Sequence, residues 1–131
     1  LSEGLKAASR WADFCGLEKR KTTVASDLTL AEQKRLEVAR ALALEPQIIL
    51  LDEALAGLNP VETMQGLGLV RKLREELGIS VFMIEHVMKA VMRVSDRIMV
   101  LNEGRKIAEG KPDEIASDKA VIEAYLGKVY T

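Results

Sequence analysis

Apolar positions recur along the chain in two rhythms, one of three to four residues and one of unbroken short runs. Between residues 2 and 16, Leu5, Ala8, Ala12 and Cys15 fall on one helical stripe, and Gly16 supplies a stop. Residues 18–27 have no period and carry a cluster of charges, the pattern of a solvated polar connection. Strong helix formers return over Ala31–Leu44, with Glu32 and Glu37 towards the positive end of the helix dipole and Pro46 as terminator. The run Ile48-Ile49-Leu50-Leu51 shows no alternation, which predicts a strand covered on both faces beneath helices. A helix over Pro60–Leu77 has Val70, Leu73 and Leu77 on one face. Gly66 and Gly68 weaken it by about 1 kcal/mol each relative to alanine.

Gly78 ends that helix, and Ile79–Ile84 reads as a second buried strand. A short helix over Val87–Val94 places Val87, Val91 and Val94 on one stripe. Strands Arg97–Leu101 and Arg105–Glu109 flank Asn102-Glu103-Gly104, read as a three-residue hairpin loop. Pro112-Asp113-Glu114 opens a short helix, and Asp118 is placed to cap another that runs to about Leu126. Strand–helix–strand order implies a parallel pair, so the fold class is α/β: a layered, mostly parallel sheet under helices with a C-terminal β-hairpin and helices.

Composition narrows the function. The 131 residues include 19 Lys plus Arg against 20 Asp plus Glu, which removes the basic footprint of a nucleic-acid binder or a polybasic membrane anchor. No apolar run approaches the roughly 20 residues a membrane span requires. One cysteine and one histidine cannot build a closed His/Cys zinc site, and Cys15 on a helix stripe reads as core. Met83, Met88, Met92 and Met99 likewise read as core filler rather than soft-metal ligands. The chain opens on Leu1 rather than Met and reads as a piece of something longer.

Open α/β sheets present functional groups at the carboxyl ends of their strands. Here the first buried strand ends in Asp52-Glu53 and the second in Glu85-His86. If the strands are parallel neighbours, these acids and the only histidine share one edge of the sheet. An aliphatic run closed by two acids suits a carboxylate holding Mg²⁺ (Asp52) and another handling a water that attacks a phosphoryl group (Glu53), with His86 contacting the transferred phosphate. Acids after a strand also simply cap the next turn.

The ordered series Leu28-Thr29-Leu30-Ala31-Glu32-Gln33, Ile48–Glu53, Ala56-Gly57-Leu58-Asn59-Pro60 and Ile84-Glu85-His86 resembles the second half of an ABC-transporter ATPase. Lys34–Ala43 is similar to the helix after the family's signature motif, and Ser95–Leu101 with Gly104-Arg105 and Ala108–Gly110 to its late strand pair. Val121–Gly127 and Gly57–Pro60 resemble the branched-chain amino-acid importer branch.

That resemblance implies that Asp52 closes the Walker B strand and binds Mg²⁺, that Glu53 is the catalytic base, and that His86 is the switch histidine. It places Thr29, Leu30, Ala31 and Glu32 on the signature motif, packed over ATP held by a partner, and Asn59 on the D-loop facing the opposite subunit. It also implies residues 1–27 as the end of a helical subdomain and 28–131 as the C-terminal part of the ATPase core. The implied partners are a second ATPase subunit, head to tail, and membrane permease subunits. Location would then be cytoplasmic, with membrane contact only through the permease and no direct nucleic-acid partner.

The sequence departs from the family in three places. No Gly-x4-Gly-Lys-Ser/Thr phosphate loop occurs, so the chain alone is expected to bind ATP poorly and to turn it over negligibly. Ala31 replaces a glycine whose amide approaches phosphate, and its methyl stands to obstruct ATP or shift it. Ala54 and Leu55 replace the usual proline and small polar residue. Absent sheet partners should leave apolar surface uncovered and favour self-association. Two other readings share the motifs: an ATPase head of a DNA-repair or chromosome-organising protein, and a non-hydrolytic dimerisation or regulatory module.

Overall fold

The structure, a computed structural model, describes residues 2–126 and divides into two bodies, one running to Glu85 and one beginning at His86. In the first body, helix α1 (Glu3–Phe14) leads through two short 3-10 turns, Glu18–Arg20 and Ala25–Asp27, to helix α2 (Leu30–Leu42). Strand β1 (Ile48–Asp52), helix α3 (Pro60–Glu75) and strand β2 (Ser80–Ile84) complete it. β1 and β2 pair in parallel, Ile48 opposite Ser80 and Asp52 opposite Ile84, with α3 as the crossover.

The core of this body is Cys15, Val38, Ala39, Leu42, Ile49, Leu73 and Ile79, with Trp11, Phe14, Leu69 and Val81 packed around it. The helices therefore cover one face of the sheet. The opposite face is bare, contrary to the expectation of a strand buried on both sides: Ile48, Leu50, Phe82 and Ile84 are 55, 71, 56 and 54% exposed. Lack of alternation reports apolar side chains on both faces, and among the described residues only one face finds a cover. The apolar surface expected from absent sheet partners is thus present.

One further expectation changes. The first helix does not bury the stripe Leu5, Ala8, Ala12, Cys15: Leu5 and Ala8 are exposed, and the helix engages the core through Trp11, Phe14 and Cys15 at its C-terminal end. Trp11 meets Phe14 edge-on at 6.1 Å between ring centroids. Lys72 Nζ lies 4.2 Å from the Phe14 ring and donates to the Phe14 carbonyl at 3.0 Å, fastening α3 to the end of α1. The end of α1 thereby shares the first body's core with α2.

α2 starts one residue before the predicted Ala31 and stops two short of Leu44. Thr29 and Glu32 form a capping box: the Glu32 N–H donates to Thr29 Oγ1 at 3.2 Å and the Thr29 N–H to Glu32 Oε2 at 2.9 Å. Beyond α2, Glu45 takes a left-handed φ of 51° before Pro46. Asn59 and Glu62 cap α3 in the same reciprocal way, with Pro60 in its first turn.

The second body contains helix α4 (Met88–Val94), strands β3 (Ile98–Asn102) and β4 (Arg105–Gly110), and helices α5 (Pro112–Ala116) and α6 (Lys119–Val121), the last continued by a π-helical turn at Ile122–Leu126. β3 and β4 are antiparallel and form a separate sheet. Their loop is two residues long, not three: Asn102 pairs with Arg105, and Glu103 and Gly104 both have positive φ, 49° and 76°. Ile98, Val100, Ile115 and Val121 form the core, with Met88, Val91 and Met92 against it. Asp118 caps α6 as predicted, accepting from the N–H groups of Ala120 and Val121.

Candidate functional site

The site forms where β1 and β2 end. Because the strands are parallel neighbours in register, Asp52 at the end of β1 stands opposite Ile84, one residue before Glu85. The ladder extends one step further, the Glu53 N–H donating to the Ile84 carbonyl at 2.9 Å. There the chain reverses: Glu53 adopts φ 49°, a left-handed conformation that costs a side-chain-bearing residue roughly 1 kcal/mol. Asp52 and Glu53 are both exposed. The structure thus brings Asp52, Glu53 and Glu85 to one edge of the sheet, as the parallel arrangement requires. His86 is exposed and belongs to the second body.

The turn from Glu53 to Asn59 is fastened from several sides. The Leu55 N–H donates to Glu85 Oε1 at 3.0 Å, and Lys34 of α2 donates to the Glu53 carbonyl at 3.4 Å. The Leu55 side chain is buried over Gly66 of α3, where a Cβ would come within 2.7 Å of Leu55 Cδ2. Gly57, at φ +78°, passes so close to Leu30 that a Cβ would lie 2.9 Å from Leu30 Cδ2. The residues expected on the signature motif therefore adjoin those expected on the D-loop within one body. Asn59 spends its Oδ1 on the α3 cap, accepting from the Glu62 N–H at 2.8 Å.

At the start of α2, Thr29 and Leu30 are exposed and Ala31 is buried. The Ala31 methyl, 8% exposed, lines a cavity of about 40 Å³ with Leu55, Leu58 and Gly66. The side chain is thus packed within the first body. The Leu30 and Ala31 amides occupy the first two helical positions, which have no acceptor within the helix, and the dipole there favours negative charge. The Glu32 carboxyl is lowered from its ordinary pKa, first by the Thr29 N–H and then by Arg20, whose Nε lies 2.8 Å from Oε1. Gln33 Nε2 donates to the Leu28 carbonyl at 3.3 Å and steadies the approach to the helix.

For Mg²⁺ the donor chemistry fits in one respect: Asp52 offers a hard, exposed carboxylate. Among the described residues no group of three His, Cys, Asp or Glu side chains is placed to hold a metal ion.

An ABC transporter family model matches residues 3–56, the span that contains Thr29–Glu32 and Asp52-Glu53, and a branched-chain amino acid ATP-binding cassette transporter model matches residues 105–131. The chain belongs to the ABC ATP-binding family. Its relatives include the high-affinity branched-chain amino acid transport ATP-binding protein LivG of Salmonella typhimurium, 44% identical over 127 residues, 97% of this chain and 50% of LivG. BraF of Pseudomonas aeruginosa, of the same description, is 42% identical over 126 residues, 96% of this chain and 49% of BraF. Among solved structures, an ATP-binding cassette of an ABC transporter in its ADP conformation superposes with a TM-score of 0.86 at 30% identity, covering 97% of this chain and 51% of its own. CbiO1 of Clostridium perfringens, part of an ABC transporter complex, gives 0.82 at 31% identity over 94% and 50%. The chain spans about half the length of the relatives it matches. Among the described residues, no helix of this ABC domain is long and apolar enough to cross a membrane.

Sequence reasoning had singled out each motif residue but missed two local devices. The Thr29-x-x-Glu32 and Asn59-x-x-Glu62 capping boxes were visible as spacings. The Glu85 bond to Leu55 was not, because it spans 30 positions and exists only once the strands pair.

Proposed function

We propose that this chain is part of the ATP-binding, energy-coupling subunit of an ABC importer for branched-chain amino acids. The observation that carries the reading is the placement of Asp52-Glu53 at the carboxyl end of a parallel strand beside the start of α2, in a chain 42–44% identical to LivG and BraF. Residues 1–27 are the end of the helical subdomain and 28–131 the C-terminal part of the ATPase core. The partners are a second ATPase subunit, head to tail, and permease subunits, with the protein at the cytoplasmic face of the membrane.

In this mechanism, Asp52 would hold Mg²⁺, which when bound neutralises charge on the phosphates. Glu53, at its left-handed backbone position, orients a water and accepts its proton as the water oxygen bonds to the terminal phosphorus and the bond to ADP breaks. His86 contacts the terminal phosphate. Thr29, Leu30, Ala31 and Glu32 present the start of α2 to ATP held by the partner subunit. Asn59 shapes the turn facing that subunit. A phosphate loop, which this sequence does not contain, must come from elsewhere in the working ATPase.

The test is ATP turnover by the complete ATPase that contains this chain, with and without Glu53→Gln. The substitution removes a proton acceptor and keeps its shape, so turnover should fall by about 100-fold or more while nucleotide stays bound. Turnover within two-fold of the unsubstituted protein, or Glu53-dependent turnover by residues 1–131 alone, would overturn the reading.

A further inference from the structure

Glu85 stands outside every role assigned above. It follows the last residue of β2, and its two oxygens have different surroundings. Oε1 accepts the Leu55 N–H at 3.0 Å, whereas Oε2 is buried and has no hydrogen-bond partner. A carboxylate oxygen sealed from water without a partner costs stability, and an apolar residue would avoid that cost. What the carboxylate does supply is an acceptor for an amide inside the turn that begins at Glu53.

That turn has little regular structure to hold it. Ala56 and Leu58 donate back to Glu53 and Leu55 at 3.1 and 3.3 Å, short-range bonds that shape the turn without fixing it to the sheet. Attachment to the sheet comes through β2, by the Ile84 carbonyl to the Glu53 N–H and by Glu85 Oε1 to the Leu55 N–H. The two bonds bracket Ala54 and clamp the segment carrying Glu53 at both ends. We infer that Glu85 is a positioning residue: by gripping the Leu55 amide it holds the left-handed turn at Glu53 and so sets the direction of the Glu53 carboxylate. The inference rests on the reading of Glu53 as the base.

The experiment uses the complete ATPase containing this chain, with Glu53→Gln, Glu85→Ala, Glu85→Asp and Glu85→Gln. Two quantities are measured for each: steady-state ATP turnover, and hydrogen exchange of the Leu55 amide. Glu85→Ala should lower kcat by about ten-fold, the effect of losing one charge-assisted hydrogen bond, and leave KM for ATP within about two-fold. Leu55 exchange should accelerate by a similar factor. Glu85→Asp, one methylene short of the amide, should behave like Ala, and Glu85→Gln, which keeps the acceptor at full length, should restore both quantities to within about three-fold of the unsubstituted protein. A purely structural residue would lose folded protein at unchanged kcat per active site. Should Glu85→Ala not fold, the comparison of Asp with Gln decides. The inference is overturned if Glu53→Gln abolishes turnover yet neither Glu85→Ala nor Glu85→Asp changes kcat, or if Leu55 exchange is unaffected. Normal turnover by Glu53→Gln instead refutes the base, and Leu55 exchange then still decides whether Glu85 holds the turn.

Discussion

Alanine placed at each of the two glycines inside α3 separates what a helix prefers from what its neighbours allow. Both positions lie mid-helix, where Gly→Ala alone is worth about 0.5–1 kcal/mol in favour of Ala. At Gly68 a Cβ would meet nothing within 4 Å, so the variant should gain that full amount. At Gly66 the Cβ would lie 2.7 Å from Leu55 Cδ2, when carbon atoms pack comfortably at about 3.5–4.0 Å. Leu55 must therefore retreat by about 1 Å. It is buried, but its methyl is the end of a rotatable side chain and the adjoining cavity offers about 40 Å³, so relief is partial. Overpacking of this kind costs roughly 1–3 kcal/mol, which leaves Gly66→Ala between neutral and about 2 kcal/mol destabilised. The two variants should differ by about 1–3 kcal/mol in urea denaturation at equal m-value. In a Leu55→Ala background the clash disappears, and Gly66→Ala should become as favourable as Gly68→Ala. Equal stabilisation by both glycine substitutions in the native background would refute the claim that Gly66 exists to seat Leu55.

Two further outcomes follow from single residues. Burial pushes the Cys15 thiol from 9.0 up to about 11, with Lys72 and Arg35 pulling weakly the other way. The unfolded chain then releases this proton before the folded one, so stability is intact below about pH 9 and falls by up to about 3 kcal/mol as pH rises to 11. Urea midpoints at pH 8 and 10.5 should show this loss in the native protein and not in Cys15→Ala; parallel losses would exclude the thiol as the cause. Glu45 sits at φ 51° after α2, bonded only loosely to Arg10 at 3.9 Å on the surface. Glu45→Gly should raise stability by about 1 kcal/mol, since the strain relieved exceeds the worth of an exposed ion pair. A lower melting temperature for that variant would show that the ion pair outweighs the strain.

How far the sequence could be read depended on the range of the interaction involved. Helices and strands set by local pattern came out within a residue or two, because β-rich aliphatic runs and terminating Gly16 and Gly78 act on their own neighbourhoods. The parallel pairing of β1 with β2 followed from strand–helix–strand order, and with it the shared edge of Asp52, Glu53 and Glu85. Which apolar side chains find cover was legible only in part: Cys15 is buried as expected, while Leu5 and the outer face of β1 are not. Leu5 and Leu50 carry the same signal as Cys15 and Ile49, yet the former pair is exposed and the latter buried. A hydrophobic period states what a residue can bury, and the partner decides whether it does. For Ala31 the motif gave the position, and only the packing of α2 showed that the residue is buried.

The crossover connection of β1 to β2 also has a consequence in time. The β3–β4 hairpin turns within two residues and can close in about 1–10 μs once synthesised. β1, by contrast, has its partner on the far side of α3, with Ile48 waiting for Ser80. At a ribosomal rate of about 5–20 residues per second, the aliphatic run of β1 waits roughly 2–6 s for β2 after it is made. Through that interval the Glu53 turn has neither the Ile84 carbonyl nor the Glu85 carboxylate to hold it. This edge of the sheet is therefore a late product of synthesis, assembled only when β2 has followed α3.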